Sequence, residues 1–174
     1  MSVVFTVGHS TRSFEEVLAL LRDNAVDCLV DIRSFPSSRR LPQWNREAIE
    51  TELPADISYR WLPNLGGRRH TPAGVASPNG FWRVKAFQDY ADYMATEPFA
   101  EGLAELEALA EECRPAIMCS EAVPWRCHRR LVTDALLVDG VDVFDILSET
   151  SVRAAVLTPA AHVVDGHLEY PPEA

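Results

Sequence analysis

A three-layer α/β domain with a mainly parallel sheet is the fold class this sequence predicts, and three observations predict it. Short β-branched apolar runs such as Val3-Val4-Phe5-Thr6-Val7 and Ala116-Ile117-Met118-Cys119 end in polar turn residues, as buried strands do. Amphipathic stretches of helical period separate such runs, giving strand-helix-strand order twice. The length, 174 residues of which 47% are hydrophobic, suits one domain over 1–174 and is too apolar for a globally disordered chain.

The elements follow in order. After Val3–Val7 comes Gly8-His9-Ser10, a turn. Ser13 then caps a helix, with Glu16 completing a capping box and Val17, Leu18, Leu20 and Leu21 forming its apolar face to about Asn24. Cys28–Arg33 is the second strand. From about 34 to 80 the chain is irregular, broken by Pro36, Pro42, Pro54, Pro63, Pro72, Pro78 and Gly66-Gly67. Only a short helix (Asn45 to Leu53) and a short strand (Ile57 to Leu62) fit there, and irregular segments of this length are usually functional loops. Phe81–Thr96 and Phe99–Cys113 read as helices, the second with a solvated acidic face at Glu101, Glu105, Glu107, Glu111 and Glu112. Ala116–Cys119 is a strand, Pro124 opens a helix running toward Gly140, and Val141–Leu147 is a further strand. Ala154–Thr158 and His162–Val164 are short edge pieces.

Composition excludes several classes. No apolar stretch approaches the roughly 18 residues of a bilayer-spanning helix, and Met1–Phe5 has no basic leader, so the chain reads as soluble, cytoplasmic and without a membrane partner. Four cysteines are too few for a disulfide scaffold. The net charge of -10 argues against long nucleic-acid duplexes as partners. The acidity is uneven: between Arg33 and Lys85 lie nine basic residues and four carboxylates. Such a segment suits a small anionic ligand, because arginine binds phosphate or carboxylate in a planar, bidentate way.

In an open parallel sheet the ligand crevice lies beyond the carboxyl ends of the strands. Here those ends deliver His9 and Ser10, then Asp31, Arg33 and Ser34, then Cys119, Ser120 and Glu121. The patch Cys119–Arg130 adds Cys127, His128 and Arg129 in or near the first turn of a helix, where free N–H groups and the helix dipole lower a thiol pKa. Packing accounts for Cys28 and Cys113 and competes as an account of Cys119. Arg129 and Arg130 oppose the helix dipole and ask for an anion, which is either a ligand or a structural partner, Glu121 or Asp31. Cys119, Cys127, His128 and His9 are a metal-capable set in composition, but C-x7-C-H is not a standard zinc spacing and adjacent residues 127 and 128 diverge on a helix; no metal is expected. His162 and His167 read as surface side chains and His70 as part of the basic loop.

The segments Thr6-Val7-Gly8-His9-Ser10, Val30-Asp31-Ile32-Arg33-Ser34-Phe35-Pro36 and Leu65-Gly66-Gly67, and above all Cys119-Ser120-Glu121 followed by Cys127-His128-Arg129-Arg130, resemble the domain of unknown function 488 family from Val3 to about Leu147. That resemblance implies a Rossmann-like fold and no particular activity, since fold alone does not supply function.

Two functions suit these residues. One is a hydrolase or group transferase acting on a small anionic substrate, with a nucleotide or another phosphorylated metabolite the best fit. Arg33, Arg129 and Arg68 or Arg69 would hold the anion, with Ser10 and Ser34 beside them and Asp31 orienting an Arg or His. Glu121 would be base or nucleophile, Cys119 or Cys127 a nucleophile, and His9 or His128 the proton carrier. No cofactor is called for, because G-x-G-x-x-G and P-loop motifs are missing. The alternative is a non-catalytic nucleotide, nucleic-acid or protein-binding module in which Trp44, Trp61, Phe81 and Trp82 stack on a ligand between arginines. The same aromatics would also serve as a mini-core under the Pro-rich segment.

Overall fold

A computed structural model describes residues 2–173. Six strands form one sheet in the order β3-β2-β4-β1-β5-β6. They are β1 (Val3–Gly8), β2 (Cys28–Asp31), β3 (Ser58–Trp61), β4 (Pro115–Cys119), β5 (Asp142–Ser148) and β6 (Ser151–Ala154). All neighbours are parallel except β5 and β6, which form a hairpin. The helices are α1 (Phe14–Asp23), α2 (Arg46–Glu52), α3 (Lys85–Tyr93), α4 (Glu97–Glu112) and α5 (Arg129–Val138). A separate two-stranded ribbon pairs β7 (His162–Val164) with β8 (His167–Glu169). Among the described residues no helix is long and apolar enough to cross a membrane.

The alternation of side chains along each strand sorts them into two cores. On one face Phe5, Val7, Leu29, Ala116 and Met118 meet Val17, Leu20 and Leu21 of α1 and Ile49 of α2. On the other, Val4, Val30, Ile117 and Cys119 meet Tyr90 and Ala91 of α3, Leu106 of α4, and Leu131 and Val132 of α5. With helices covering both faces the central strands β1, β2 and β4 are buried almost throughout, which is why they read as continuous apolar runs, while β3 and β6 at the sheet edges are largely exposed.

Several elements differ from their sequence-based boundaries. The capping box on α1 forms as expected, with Ser13 and Glu16 exchanging hydrogen bonds. The helix expected from Pro124 begins only at Arg129. Pro124–Arg126 make a single 3₁₀ turn, and Cys127 then adopts extended backbone (φ -141°, ψ 151°) that interrupts the coil. The helix expected from Phe81 starts at Lys85, because the Phe81 N–H is taken by the Tyr170 carbonyl and the Trp82 N–H by Asn79. The edge piece expected at Ala154–Thr158 ends where it was to begin, since β6 folds back tightly on β5.

Sheet order decides where a ligand can sit. From β1 the chain moves to β2 on one side of the sheet, and from β4 it moves to β5 on the other, so the connections leaving adjacent β1 and β4 diverge. A crevice opens at such a switch point. The register carries it further: Gly8 lies opposite Cys119, and Asp31 opposite Met118. Backbone bonds from His9 N–H to Cys119 O (3.0 Å), Ser10 N–H to Ser120 O (2.9 Å) and Ile32 N–H to Met118 O (3.0 Å) hold the three strand exits level.

Candidate functional site

At that crevice lies a cleft of about 390 Å³, within the size range of small-molecule sites. His9, Arg33, Ser34, Cys119, Glu121, Cys127, His128 and Arg68 all line it. Ser10, Asp31, Arg69 and Arg129 do not. Ser10 contributes backbone only, at φ 46°. Arg69 lies flat on the Tyr93 ring, 3.8 Å from its centre, and donates to the carbonyls of Pro63 and Gly66. Its guanidinium is thereby spent on holding the loop.

Asp31 is fully buried and accepts four hydrogen bonds: from the Arg33 N–H, from Arg33 Nε (2.9 Å) and Nη2 (2.7 Å), and from the Tyr59 hydroxyl (2.7 Å). Arg33 Nη2 also donates to the Trp44 carbonyl, which leaves Nη1 as the part of the guanidinium facing His9 and the cleft. Burial and the Asp31 charge push the Tyr59 hydroxyl well above its ordinary range, so it is a pure donor here.

The protonation of His9 follows from its neighbours. Its Nδ1 lies 3.0 Å from the Ser10 carbonyl, which only accepts, and its Nε2 lies 3.3 Å from Arg33 Nη1, which only donates. The ring is therefore neutral with the proton on Nδ1. Burial and then the Arg33 charge outweigh the Ser10 bond and bring its pKa to about 4. Trp44 stacks beneath it at 5.0 Å.

The thiols sit opposite. Because Cys127 is extended and precedes α5, its Sγ accepts the Arg129 N–H at 3.4 Å, the first of the N–H groups that the start of α5 leaves without a helical partner. Burial pushes this thiol up. A hydrogen bond from Cys119, the Arg129 guanidinium and the Arg129 N–H together outweigh that and leave Cys127 below the ordinary thiol value. Cys119 moves the opposite way, raised by burial and by its bond to Cys127. His128 Nδ1 is 3.3 Å from Cys127 Sγ, while its Nε2 donates to the Ile32 carbonyl at 2.7 Å. Burial lowers the His128 pKa, so a neutral ring presents its Nδ1 lone pair to the thiol. Gly67 makes this placement possible: a Cβ there would come within 2.5 Å of Nδ1. Gly8 is equally constrained, since a Cβ would overlap the Glu121 carbonyl that closes the rim.

Arg129 is completely buried. Neither carboxylate expected as its partner pairs with it: Asp31 is engaged by Arg33, and Glu121 offers Arg129 Nη2 only its backbone carbonyl (3.0 Å). Nη1 donates to Thr6 Oγ1 (3.2 Å), whose hydroxyl donates to Asp145 (2.6 Å), and Nε has no partner. Arg130 likewise finds no carboxylate among the described residues; it donates to Thr158 and lies over Trp82. A buried cation without an ion pair favours a negative charge nearby; the Arg129 charge pulls down Cys119, Cys127 and His128 alike, and of the two cleft thiols only Cys127 ends below its ordinary value.

Sequence reasoning passed over Arg126 and Phe35. Arg126 is exposed, lines the cleft and has no ion pair among the described residues; its place immediately before Cys127 was the available signal. Phe35 is 66% exposed at the mouth, with the Arg68 guanidinium 5.6 Å from its ring centre. The cleft thus gathers Arg33, Arg68 and Arg126 against the single carboxylate of Glu121. The aromatics proposed for stacking lie elsewhere. Trp44 and Trp82 are buried, Trp61 donates to the Arg33 carbonyl, and Phe81 packs on Trp82. Among the described residues no group of three or more His, Cys, Asp or Glu side chains is arranged to hold a metal ion.

The family model for a domain of unknown function, DUF488, matches residues 13–136, well over half of the chain. The chain belongs to the DUF488 family. The matched span of this DUF488 protein includes Arg33, Cys119, Glu121, Cys127, His128 and Arg129, whereas the His9 and Ser10 turn precedes it. No curated protein matches the chain, and no solved structure does.

A larger hollow of about 530 Å³ lies by the C-terminal end of α5, between α4 and the β7–β8 ribbon. It contains no thiol and no guanidinium. Its one perturbed group is Glu107, pushed up to about 8 by burial and by a hydrogen bond with Asp139. It offers none of the nucleophile and anion-binding chemistry of the rim.

Proposed function

We propose that the cleft is the active site of a thiol-dependent hydrolase or group transferase acting on a small anionic metabolite, with a nucleotide or another phosphorylated compound the class that fits. The observation that carries the reading is the setting of Cys127: a thiol at a helix N-terminus, bonded by a backbone N–H, near a buried unpaired guanidinium, and facing an arginine-lined opening. Those features favour the thiolate, which is the nucleophilic form.

In this reading Arg33 Nη1, Arg68 and Arg126 hold the anionic group. Cys127 attacks the electrophilic centre after passing its proton to His128 Nδ1, the leaving group departs with that proton, and the Glu121 carboxylate takes the proton of the water or acceptor hydroxyl that then displaces the bound group from sulfur. His9 is a positioning residue: with both nitrogens engaged, it fixes Arg33 and transfers no proton in the reaction. Asp31 and Tyr59 fix the same guanidinium from behind. The packing of Trp44, Phe81 and Trp82 supports this reading over the stacking module, because their faces are spent on the protein's own core, and Trp61 lies under the Arg46 guanidinium with its Nε1 donating to the Arg33 carbonyl.

Iodoacetamide labelling of Cys127 against pH tests the nucleophile. Labelling is expected to have its midpoint below about 8.5, the free-thiol value. Cys127→Ser should abolish turnover of phosphate esters or nucleotides while retaining phosphate binding, and Glu121→Gln should lower kcat more than it raises KM. An ordinary or higher midpoint, or full turnover by Cys127→Ser, refutes the assignment.

A further inference from the structure

Cys119 is a buried thiol that the proposed chemistry does not consume. It ends β4, lines the same cleft as Cys127, and belongs to the same packed cluster. Both residues are nearly inaccessible except through that cleft, at 1% and 5% exposure. The two thiols both line the cleft and perturb each other in opposite directions, Cys119 upward and Cys127 downward, and Cys119 Sγ donates to the Glu121 carbonyl at 3.8 Å. A second close pair lies in the same core, Cys28 with Cys113. There the charged side chains acting on Cys113 are the carboxylates of Asp27 and Glu112, its thiol donates to the Leu109 carbonyl, and burial pushes it up to about 12.

We infer that Cys119 and Cys127 are a reversible dithiol pair, with Cys127 the sulfur that a hydroperoxide oxidises and Cys119 the sulfur that resolves it to a disulfide, switching the cleft off. The inference rests on the reading of Cys127 as an activated thiol. The Cys127 thiolate attacks one peroxide oxygen, so that an S–O bond forms, the O–O bond breaks, and the other oxygen leaves with a proton as alcohol or water. Cys119 then loses its proton and attacks the Cys127 sulfur. The S–S bond forms, the S–O bond breaks, and hydroxide leaves with the proton as water. Two electrons pass from the sulfur pair to the peroxide, and a dithiol reductant reverses the change. The contrast between the two pairs is the distinguishing expectation, since attack requires thiolate at one sulfur and only the cleft pair stabilises it.

The experiment treats the full chain with hydrogen peroxide, denatures it, counts maleimide-reactive thiols and maps the linked peptides by mass. Expected is a fall from the four thiols of the reduced chain to two, a Cys119–Cys127 link, no Cys28–Cys113 link, and recovery of all thiols with dithiothreitol. Cys119→Ser should instead accumulate sulfenic and sulfinic acid on Cys127. If Cys127 alkylates as an activated thiol yet gives sulfinic acid with Cys119 intact, or if both pairs oxidise alike, the dithiol proposal is overturned and the nucleophile reading stands. If Cys127 resists both peroxide and iodoacetamide, both readings fall.

Discussion

Acidification from pH 8 to pH 5 should destabilise the wild-type protein by about 2 kcal/mol more than it destabilises His9→Gln. The physical cause is the cage around His9. Its ring is 2% exposed, stacked on Trp44, and obliged by Arg33 to offer a lone pair at Nε2. A second proton would break that bond and set two cations 3.3 Å apart. The folded pKa is about 4, against 6.5 for a free imidazole. Because the unfolded chain binds the proton first, this contribution to stability is fully present above 6.5 and is lost as pH falls toward 4. Complete loss corresponds to about 3 kcal/mol, and at pH 5 roughly two thirds of it is gone. Gln keeps an acceptor near Nε2 but cannot titrate, so the difference between the two proteins isolates His9 from His128 and from the carboxylates. Urea denaturation at half-unit steps between pH 8 and 5 measures it, and the NMR signal of the His9 ring should not titrate above pH 5. Parallel stability curves for the two proteins, within about 0.5 kcal/mol, would refute the argument.

Three further outcomes follow from the same geometry. Asp31→Asn sets a donor-only amide N–H₂ against the Arg33 and Tyr59 donors in a fully buried site, so urea denaturation should show a loss of about 3–5 kcal/mol, partly recovered by adding Arg33→Met; a loss under about 1 kcal/mol contradicts the pairing. Gly67→Ala places a methyl 2.5 Å from His128 Nδ1, and should slow Cys127 alkylation while costing about 1–3 kcal/mol of stability; unchanged alkylation removes His128 from the thiol's activation. Arg126→Ala and Arg68→Ala remove exposed guanidiniums that form no ion pair among the described residues, so stability should stay within about 0.5 kcal/mol while affinity for inorganic pyrophosphate drops about tenfold each by calorimetry; equal affinity places the anion elsewhere.

Local patterning determined the five parallel strands, the α1 capping box and the clustering of reactive residues at strand ends, because burial on both sheet faces leaves continuous apolar runs and because polar residues must reappear where the chain leaves the sheet, whereas the exposed edge strand β6 and the ribbon strand β8 carry no such run. The chemistry-bearing residues of the rim were legible for the same reason: His9, Arg33, Cys119 and Glu121 each fall just past, or at the last residue of, an apolar run. Their partners were not legible. Asp31 was expected to orient an Arg or His and does hold Arg33, but that Arg129 turns inward to Thr6 across 123 positions and that Arg69 is spent on Tyr93 depend on which elements become neighbours. Insertion of β4 between β1 and β2 is a long-range event with no local mark in the chain. It brings Gly8 against Glu121 and Gly67 against His128, contacts for which a glycine in sequence shows only that a side chain is missing. The break at Cys127 is of the same kind. Pro124 and the apolar stripe after it describe a helix, and only the packed structure, by lending Cys127 Sγ to the Arg129 N–H, delays that helix and turns the thiol into the cleft.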